Sequence, residues 1–400
     1  MKRLKRFIGY CLIIGSTTVG LAMLTGHGYL YKGIKEVWLR GWSSGNIDDL
    51  QFAYDTRVLK ASDPLPWAED LGEVTLDDST LKWMDEELSA SFLVISNDTI
   101  IYENYWRGHH ENTLSNSFSM AKSVVALAIG MAVDDGLIDV KAPLSKYLPR
   151  FADDQYGAGI TVEHVLQMRT CIPFGESYSN PFGFPARAYY GGDIQSLMEP
   201  YRPEAQSGTE FEYQSGNTIL LAEILSSVQD KNLTEYVSDG LWGAVHAEND
   251  AEWGLDAVDG LERSFAQFYA TTRDFARFGK LILDGGMVDS ASVVSSEYIE
   301  DMITPIHDEE LGVDVPFYGY QIWMGHTDDG IKFYYLRGHR GQYVLSVPEK
   351  NLIMVRTGYE RDMNSLRNLS VDTYIYLEAA LKLAEEREQL KHNMQQLMAS

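Results

Sequence analysis

A chain of 400 residues, 45% apolar and 23% charged, can bury a sizeable core, which excludes an intrinsically disordered protein. A formal charge of −25 excludes a surface that tracks phosphates, so no nucleic-acid partner is expected. Two cysteines, Cys11 and Cys171, with Cys11 in an apolar N-terminal stretch, exclude a disulfide framework.

The chain begins with Lys2, Arg3, Lys5 and Arg6, and no Asp, Glu, Lys or Arg follows from Phe7 to Tyr31. About 20 such residues span a bilayer. Residues 1–31 are therefore read as a signal anchor with a transmembrane helix, its partner the lipid bilayer through residues 7–31. The basic cluster stays cytoplasmic, so the rest is exported to the periplasm or cell exterior. Cleavage near Gly26-His27-Gly28, giving a secreted protein, is the alternative.

Residues 32–75, with Gly, Ser, Asp and Pro among aromatics, read as a connecting arm. Gly41-Trp42-Ser43-Ser44-Gly45 fits G-x-S-x-G, but that elbow needs strands before it and an Asp and a His after it. Only 40 residues precede it, most of them the apolar segment, so it is excluded as a nucleophile.

A globular domain is expected over 76–385, with 386–400 as a helix end and tail. Ser91–Asn97 and Thr99–Tyr105 read as strands joined at Asn97-Asp98. His109-His110-Glu111 lacks metal-ligand spacing and reads as an exposed polar loop; no metal and no cofactor is expected. Helical patterns dominate from Ser119 to about Glu300. Strands return at Tyr318–Gly325, Lys332–Leu336, Gln342–Val347 and Leu352–Thr357, before a charged amphipathic helix from Val371 to about Leu397. Strands at both ends around a helical middle predict an α+β fold: one antiparallel sheet flanked by helices, beside an all-helical region.

Two S-x-x-K patterns occur, about the number chance allows. Ser79-Thr80-Leu81-Lys82 follows Asp77-Asp78 and reads as the capped start of a surface helix. Ser119-Met120-Ala121-Lys122 leads into the uncharged run Ser123–Val133, which predicts a buried helix. The spacing sets hydroxyl and amine one turn apart on one face. Burial lowers a lysine pKa, and an amine that sheds its proton can activate a serine.

Two further segments complete a candidate site. Tyr213, in Phe211–Asn217, reads either as a proton shuttle or as a buried tyrosine with a satisfied hydroxyl. Leu336–Tyr343 places Gly338 and Gly341 between two strands. The backbone N–H of Gln342 then faces that of Ser119 as an oxyanion hole, or the segment is a glycine-bearing hairpin with an exposed His339. Ile160–Thr170 reads as a capped structural helix. The aromatic loop Phe174–Asp193 is placed at the pocket mouth, with Tyr189 and Tyr190 as candidate contacts.

The motifs in this order, SFSMAKS, GLIDVKAPLSKYLPRF, ITVEHVLQMRT, FEYQSGNT, ATTRDFARFGKLIL and GHRGQYVLSVPEKNLIMVRTG, resemble the serine β-lactamase-related superfamily. The likeness points to its class C-like members, the 6-aminohexanoate oligomer hydrolases and family VIII-type esterases, and covers about residues 76–385. It implies a β-lactamase/transpeptidase-like fold. It implies Ser119 as acylated nucleophile, Lys122 as base and Tyr213 as proton relay. His339-Arg340-Gly341 stands where β-lactamases have K-T-G, with Gln342 at the oxyanion position. Histidine in place of that lysine, and Ser215 in place of an amide residue, point away from β-lactams; Arg340 and Ser215 remain candidate substrate contacts. The expectation is a serine hydrolase acting on a small ester or amide. A membrane-tethered sensor with little turnover is the alternative, and a β-lactamase or DD-peptidase the second.

Overall fold

Asn97 and Asp98 take left-handed φ of 49° and 61°, the geometry of a two-residue hairpin turn, and join the first long strands of the main sheet. The computed structural model describes residues 10, 15, 17–53 and 55–399. Seven strands form that sheet: β1 (Ala68–Glu69), β2 (Ser89–Ser96), β3 (Thr99–Tyr105), β4 (Trp323–His326), β5 (Lys332–Gly338), β6 (Gln342–Val347) and β7 (Leu352–Gly358). Their spatial order is β4-β5-β6-β7-β2-β3-β1, antiparallel throughout except β1 beside β3. The helices used below are α1 (Tyr29–Glu36), α2 (Ala121–Asp134), α3 (Phe184–Tyr190), α4 (Ser215–Val228), α5 (Thr272–Leu283) and α6 (Val371–Ala399).

Alternation along β2 divides the core. Leu93 and Ile95 share one cluster with Phe275 and Phe278 of α5, while Phe92 and Val94 share another with Tyr376, Ala380 and Leu383 of α6. With both faces covered, every residue of β2 is buried. Gly279 lets α5 lie directly on the sheet: a Cβ there would sit 2.9 Å from Val344 Cγ1.

A second sheet of four short strands, Thr56–Leu59, Ala251–Gly254, Phe268–Ala270 and Ser115–Asn116 in spatial order, was not expected. It delivers the chain to Ser119: Ser117 N–H donates to the Phe268 carbonyl at 2.8 Å, and α2 starts four residues later. The strand expected at Tyr318–Gly325 shortens to Trp323–His326, because Gln321 adopts φ 54° and Tyr318 turns into a separate aromatic cluster.

Two N-terminal expectations change. Among the described residues no helix is long and apolar enough to cross a membrane. Residues 7–9, 11–14 and 16 of the expected span lie outside the described residues. The described part turns at Thr25-Gly26, and Tyr29, 7% exposed, is already part of the folded body. The stretch 32–75 is not a free connector. Thr56–Leu59 pairs with Ala251–Gly254, β1 joins the main sheet, and Ile47, Leu59 and Trp67 are buried. Apolar residues scattered through it find partners far along the chain, and strand pairing satisfies its backbone.

Candidate active site

Ser119 lies in a tight turn, Phe118–Met120, at the head of α2. Phe118 is held at φ 46°, a strained conformation for a bulky residue, and its N–H bonds the Asn116 side chain at 2.9 Å. The strain keeps Ser119 proud of the helix, half-exposed, while Lys122 one turn on is 1% exposed. Lys122 Nζ donates to Ser119 Oγ at 2.9 Å and to the Phe265 carbonyl at 3.1 Å. Burial pulls the Lys122 ammonium down to about 8, with the Glu176 carboxylate acting in the opposite sense. Near neutral pH about a tenth of Lys122 is therefore free amine, far more than an exposed lysine provides, in reach of the hydroxyl proton.

Tyr213 approaches from the other side. The Ser119 side chain lies close enough to act on its phenol, and the Tyr213 ring centroid is 5.3 Å from Lys122 Nζ. Burial pushes its phenol well above the usual range, against the lowering effect of the Ser119 contact. The phenol stays protonated, so it can pass a proton but not act as the resting base. Ser79, by contrast, lies at the capped start of the surface helix Asp78–Glu86, next to the Asp77 cap, and Lys82 pairs with Glu86 in solvent.

The Gly338–Gln342 edge is placed beside the Ser117–Ser119 turn. A Cβ at Gly338 would collide with the Ser117 carbonyl, so only glycine permits this approach. The placement expected for Gln342 changes. Gln342 is fully buried and does not line the cavity; its side chain ties His339 and Gly358 together at 2.7–2.9 Å. His339 does line the cavity, with Ser119. Among the described residues the backbone N–H groups of Ser119 and His339 have no hydrogen-bond acceptor. The tight turn Arg340-Gly341, at φ 60° and 79°, separates the cavity-lining His339 from the buried Gln342.

His339 is not exposed. Its ring stacks on Tyr178 at 5.3 Å and meets Phe118 edge-on at 5.5 Å, and Nε2 lies 2.8 Å from Ser44 Oγ. Burial, then Arg340 and Arg361, push its pKa down to about 3, so the ring is neutral and far too weak a base to activate Ser44. Arg340 points away from the cavity. It donates to the Gly45 carbonyl at 2.8 Å and the Tyr359 carbonyl at 2.6 Å, and lies over the Trp42 ring. Gly341 is closed in beneath Arg356 and does not line the cavity. Ser215 starts α4, and both its N–H and hydroxyl bond Glu176, at 2.8 and 2.6 Å. Tyr189 accepts from Asn116 at 2.9 Å and, with Tyr190, lines the cavity.

Three contributors escaped the sequence reading. Glu176 bonds Ser215 and the Tyr178 hydroxyl, the latter at 2.6 Å, and its charge reaches Lys122 and Tyr213. Its signal was present: it is the one carboxylate in FGESY, the start of the loop assigned to the pocket mouth. Tyr178 lay in the same loop. Ser44 belonged to a motif excluded as a nucleophile, and nothing local announces its contact with His339, 295 residues away. His109, expected in an exposed loop, instead bonds Tyr359 at 3.0 Å and pairs with Asp48 at 3.2 Å, pinning the N-terminal segment.

Fold and site together define a Ser-Lys-Tyr arrangement, with Ser119 at a helix head against a sheet edge. The Beta-lactamase family model matches residues 78–358, and the chain belongs to that family. It is 29% identical over 237 residues to the 6-aminohexanoate-dimer hydrolase of Paenarthrobacter ureafaciens, covering 55% of this chain and 58% of that protein. The chain thus matches less than two thirds of this relative's length. An uncharacterized protein of Alkalihalophilus pseudofirmus is 24% identical over 67% of this chain and 82% of its own. Among solved structures, a Bacillus anthracis protein with the provisional name 6-aminohexanoate-dimer hydrolase superposes with TM-score 0.72 at 20% identity, over 85% of this chain and 93% of that one. A family VIII carboxylesterase gives 0.57 at 17% identity, over 76% and 96%. At these identities the structures establish the fold alone.

Proposed function

We propose that this protein is a serine hydrolase that cleaves small esters or amides through an acyl-enzyme on Ser119. The observation that carries the reading is the 2.9 Å contact between Ser119 Oγ and an amine whose pKa is about 8. Neutral Lys122 takes the hydroxyl proton as Oγ bonds the substrate carbonyl carbon. The oxyanion forms against the free N–H groups of Ser119 and His339. Collapse breaks the bond to the leaving group, which receives the Lys122 proton through the Tyr213 hydroxyl. Water then attacks the acyl-enzyme with the same base, releasing a carboxylic acid and restoring Ser119.

The substrate side favours ester or neutral amide over β-lactam or D-peptide. A fixed cation for a substrate carboxylate is missing from the cavity wall as described: His339 is neutral and Arg340 is engaged elsewhere. The names of the relatives, an amide-dimer hydrolase and a carboxylesterase, accord with this. We also propose export, on the basis of the basic cluster Lys2–Arg6 ahead of uncharged residues 7–31; cell fractionation tests it.

A fluorophosphonate probe should label the wild type and leave Ser119→Ala blank. Equal labelling of both overturns the assignment. Steady multiple turnover of p-nitrophenyl acetate is expected; a single burst without steady state would make the protein a sensor instead.

A further inference from the structure

The cavity at Ser119 has a volume of about 390 Å3, within the roughly 300–1,000 Å3 typical of small-molecule sites. Its wall is built by two segments. One is the loop and helix from Tyr178 to Tyr190. The other is α1 and the turn after it, where Leu30, Ile34, Val37 and Trp38 recur at helical spacing and face the opening. No Asp, Glu, Lys or Arg side chain lines it among the described residues.

Direction matters as much as polarity. Lys122 and Tyr213 do not line the cavity, whereas Ser119, Phe118 and His339 do. A leaving group must depart beside the proton donor Tyr213, so the cavity extends on the acyl side of the scissile bond. The wall is also fixed rather than loose. Ser44 bonds His339, Arg340 holds the Gly45 carbonyl, the Ile47 carbonyl accepts from Asn116 N–H at 2.9 Å, and Trp42 stacks on Tyr359 at 5.5 Å. At Gly33, α1 lies in van der Waals reach of the Tyr190 ring.

Resting on the serine-hydrolase reading, we infer that residues 29–45 are the specificity wall of the site and select an uncharged, apolar acyl chain. A chain ending in a carboxylate or ammonium finds no partner there, and burying such a charge unpaired is costly.

The test uses the full chain and four p-nitrophenyl esters: acetate, hexanoate, 6-aminohexanoate and the monoester of adipic acid. Each methylene buried should raise kcat/KM about two- to fourfold, so hexanoate exceeds acetate by about 50-fold. The two charged analogues should fall about tenfold or more below hexanoate. Ile34, 46% exposed, tolerates a polar replacement. In Ile34→Lys the adipate-to-hexanoate ratio should rise about fivefold or more, with fluorophosphonate labelling and thermal melting reporting that the fold is intact. A flat chain-length series, charged esters cleaved as fast as hexanoate, or an unmoved ratio in Ile34→Lys overturns the inference while Ser119-dependent acetate turnover leaves the catalytic reading standing. No Ser119-dependent turnover of any ester overturns both.

Discussion

Two regions meet at the cavity, and they are built on opposite principles. The catalytic centre is local: Ser119 and Lys122 are one helical turn apart, and a buried, uncharged helix tunes the amine. The N-terminal wall is wholly non-local: Ser44 meets His339, Asp48 meets His109, and Thr56–Leu59 pairs with Ala251–Gly254. On the proposed reading, chemistry is held by a short stretch of chain, while the shape of what is accepted is held by contacts between distant stretches. Substitutions in the first region should therefore cost rate, and those in the second should alter selection or anchoring.

The largest effect tests the first half of that contrast. Lys122→Met keeps the volume and removes the base, so kcat/KM for p-nitrophenyl acetate should fall about 1,000-fold or more. Stability should hold or rise, because a buried amine is replaced by an apolar group. A Lys122→Met protein that melts far below wild type would show that the lysine is there for packing. Next in size is Gly338→Ala. Its Cβ would press on the Ser117 carbonyl and push the oxyanion edge from the nucleophile, lowering kcat about 100-fold with a smaller change in KM. A loss confined to KM would place this edge with the wall rather than with the chemistry.

The pH profile sharpens the comparison further. Lys122 is lowered to about 8, so below that value it is mostly protonated and cannot accept the Ser119 proton. The acylation rate, read as kcat/KM, should climb about tenfold per pH unit and level off above about pH 8. The side chains that line the cavity have no such dependence: His339 titrates near 3, and Lys32 and Glu36 of α1, shifted by burial to about 8 and about 7, pair with each other at 3.9 Å and do not line it. The hexanoate-to-acetate ratio should accordingly stay constant from about pH 6 to about pH 9. A ratio that changes with pH would place a titrating group in the wall.

The same contrast explains what could be read from sequence. The buried α2 follows from an uncharged run, the capped helix at Val162 from Thr161 and His164, and the long strands β2, β3, β6 and β7 from their apolar residues. Ser119, Lys122 and Tyr213 converge as their motifs suggested. The second sheet was invisible because strands of two to four residues carry too little periodicity. His339 rather than Gln342 lines the cavity because two left-handed residues, Arg340 and Gly341, tighten the turn, a backbone choice that Arg340 does not advertise. Residues 32–75 looked like a connector because their partners lie up to about 300 positions away, and no local pattern encodes such a contact.

The smallest effect is the most discriminating. Ser44→Ala removes the 2.8 Å contact with His339 and a 3.2 Å contact from Arg340, while Arg340 keeps its bond to the Gly45 carbonyl. A hydrogen bond of this kind contributes about 1 kcal/mol, so kcat/KM for the hexanoate ester should drop only about two- to fivefold, mainly through KM. Melting should move by about 2–4 °C at most. Fluorophosphonate labelling should persist, in contrast to Ser119→Ala. A loss on the scale of Lys122→Met would mean that Ser44 and His339 act in the chemistry, which a ring titrating near 3 is poorly suited to do beside an amine titrating near 8. Loss of selectivity at nearly full rate would separate the region that selects the substrate from the region that cleaves it.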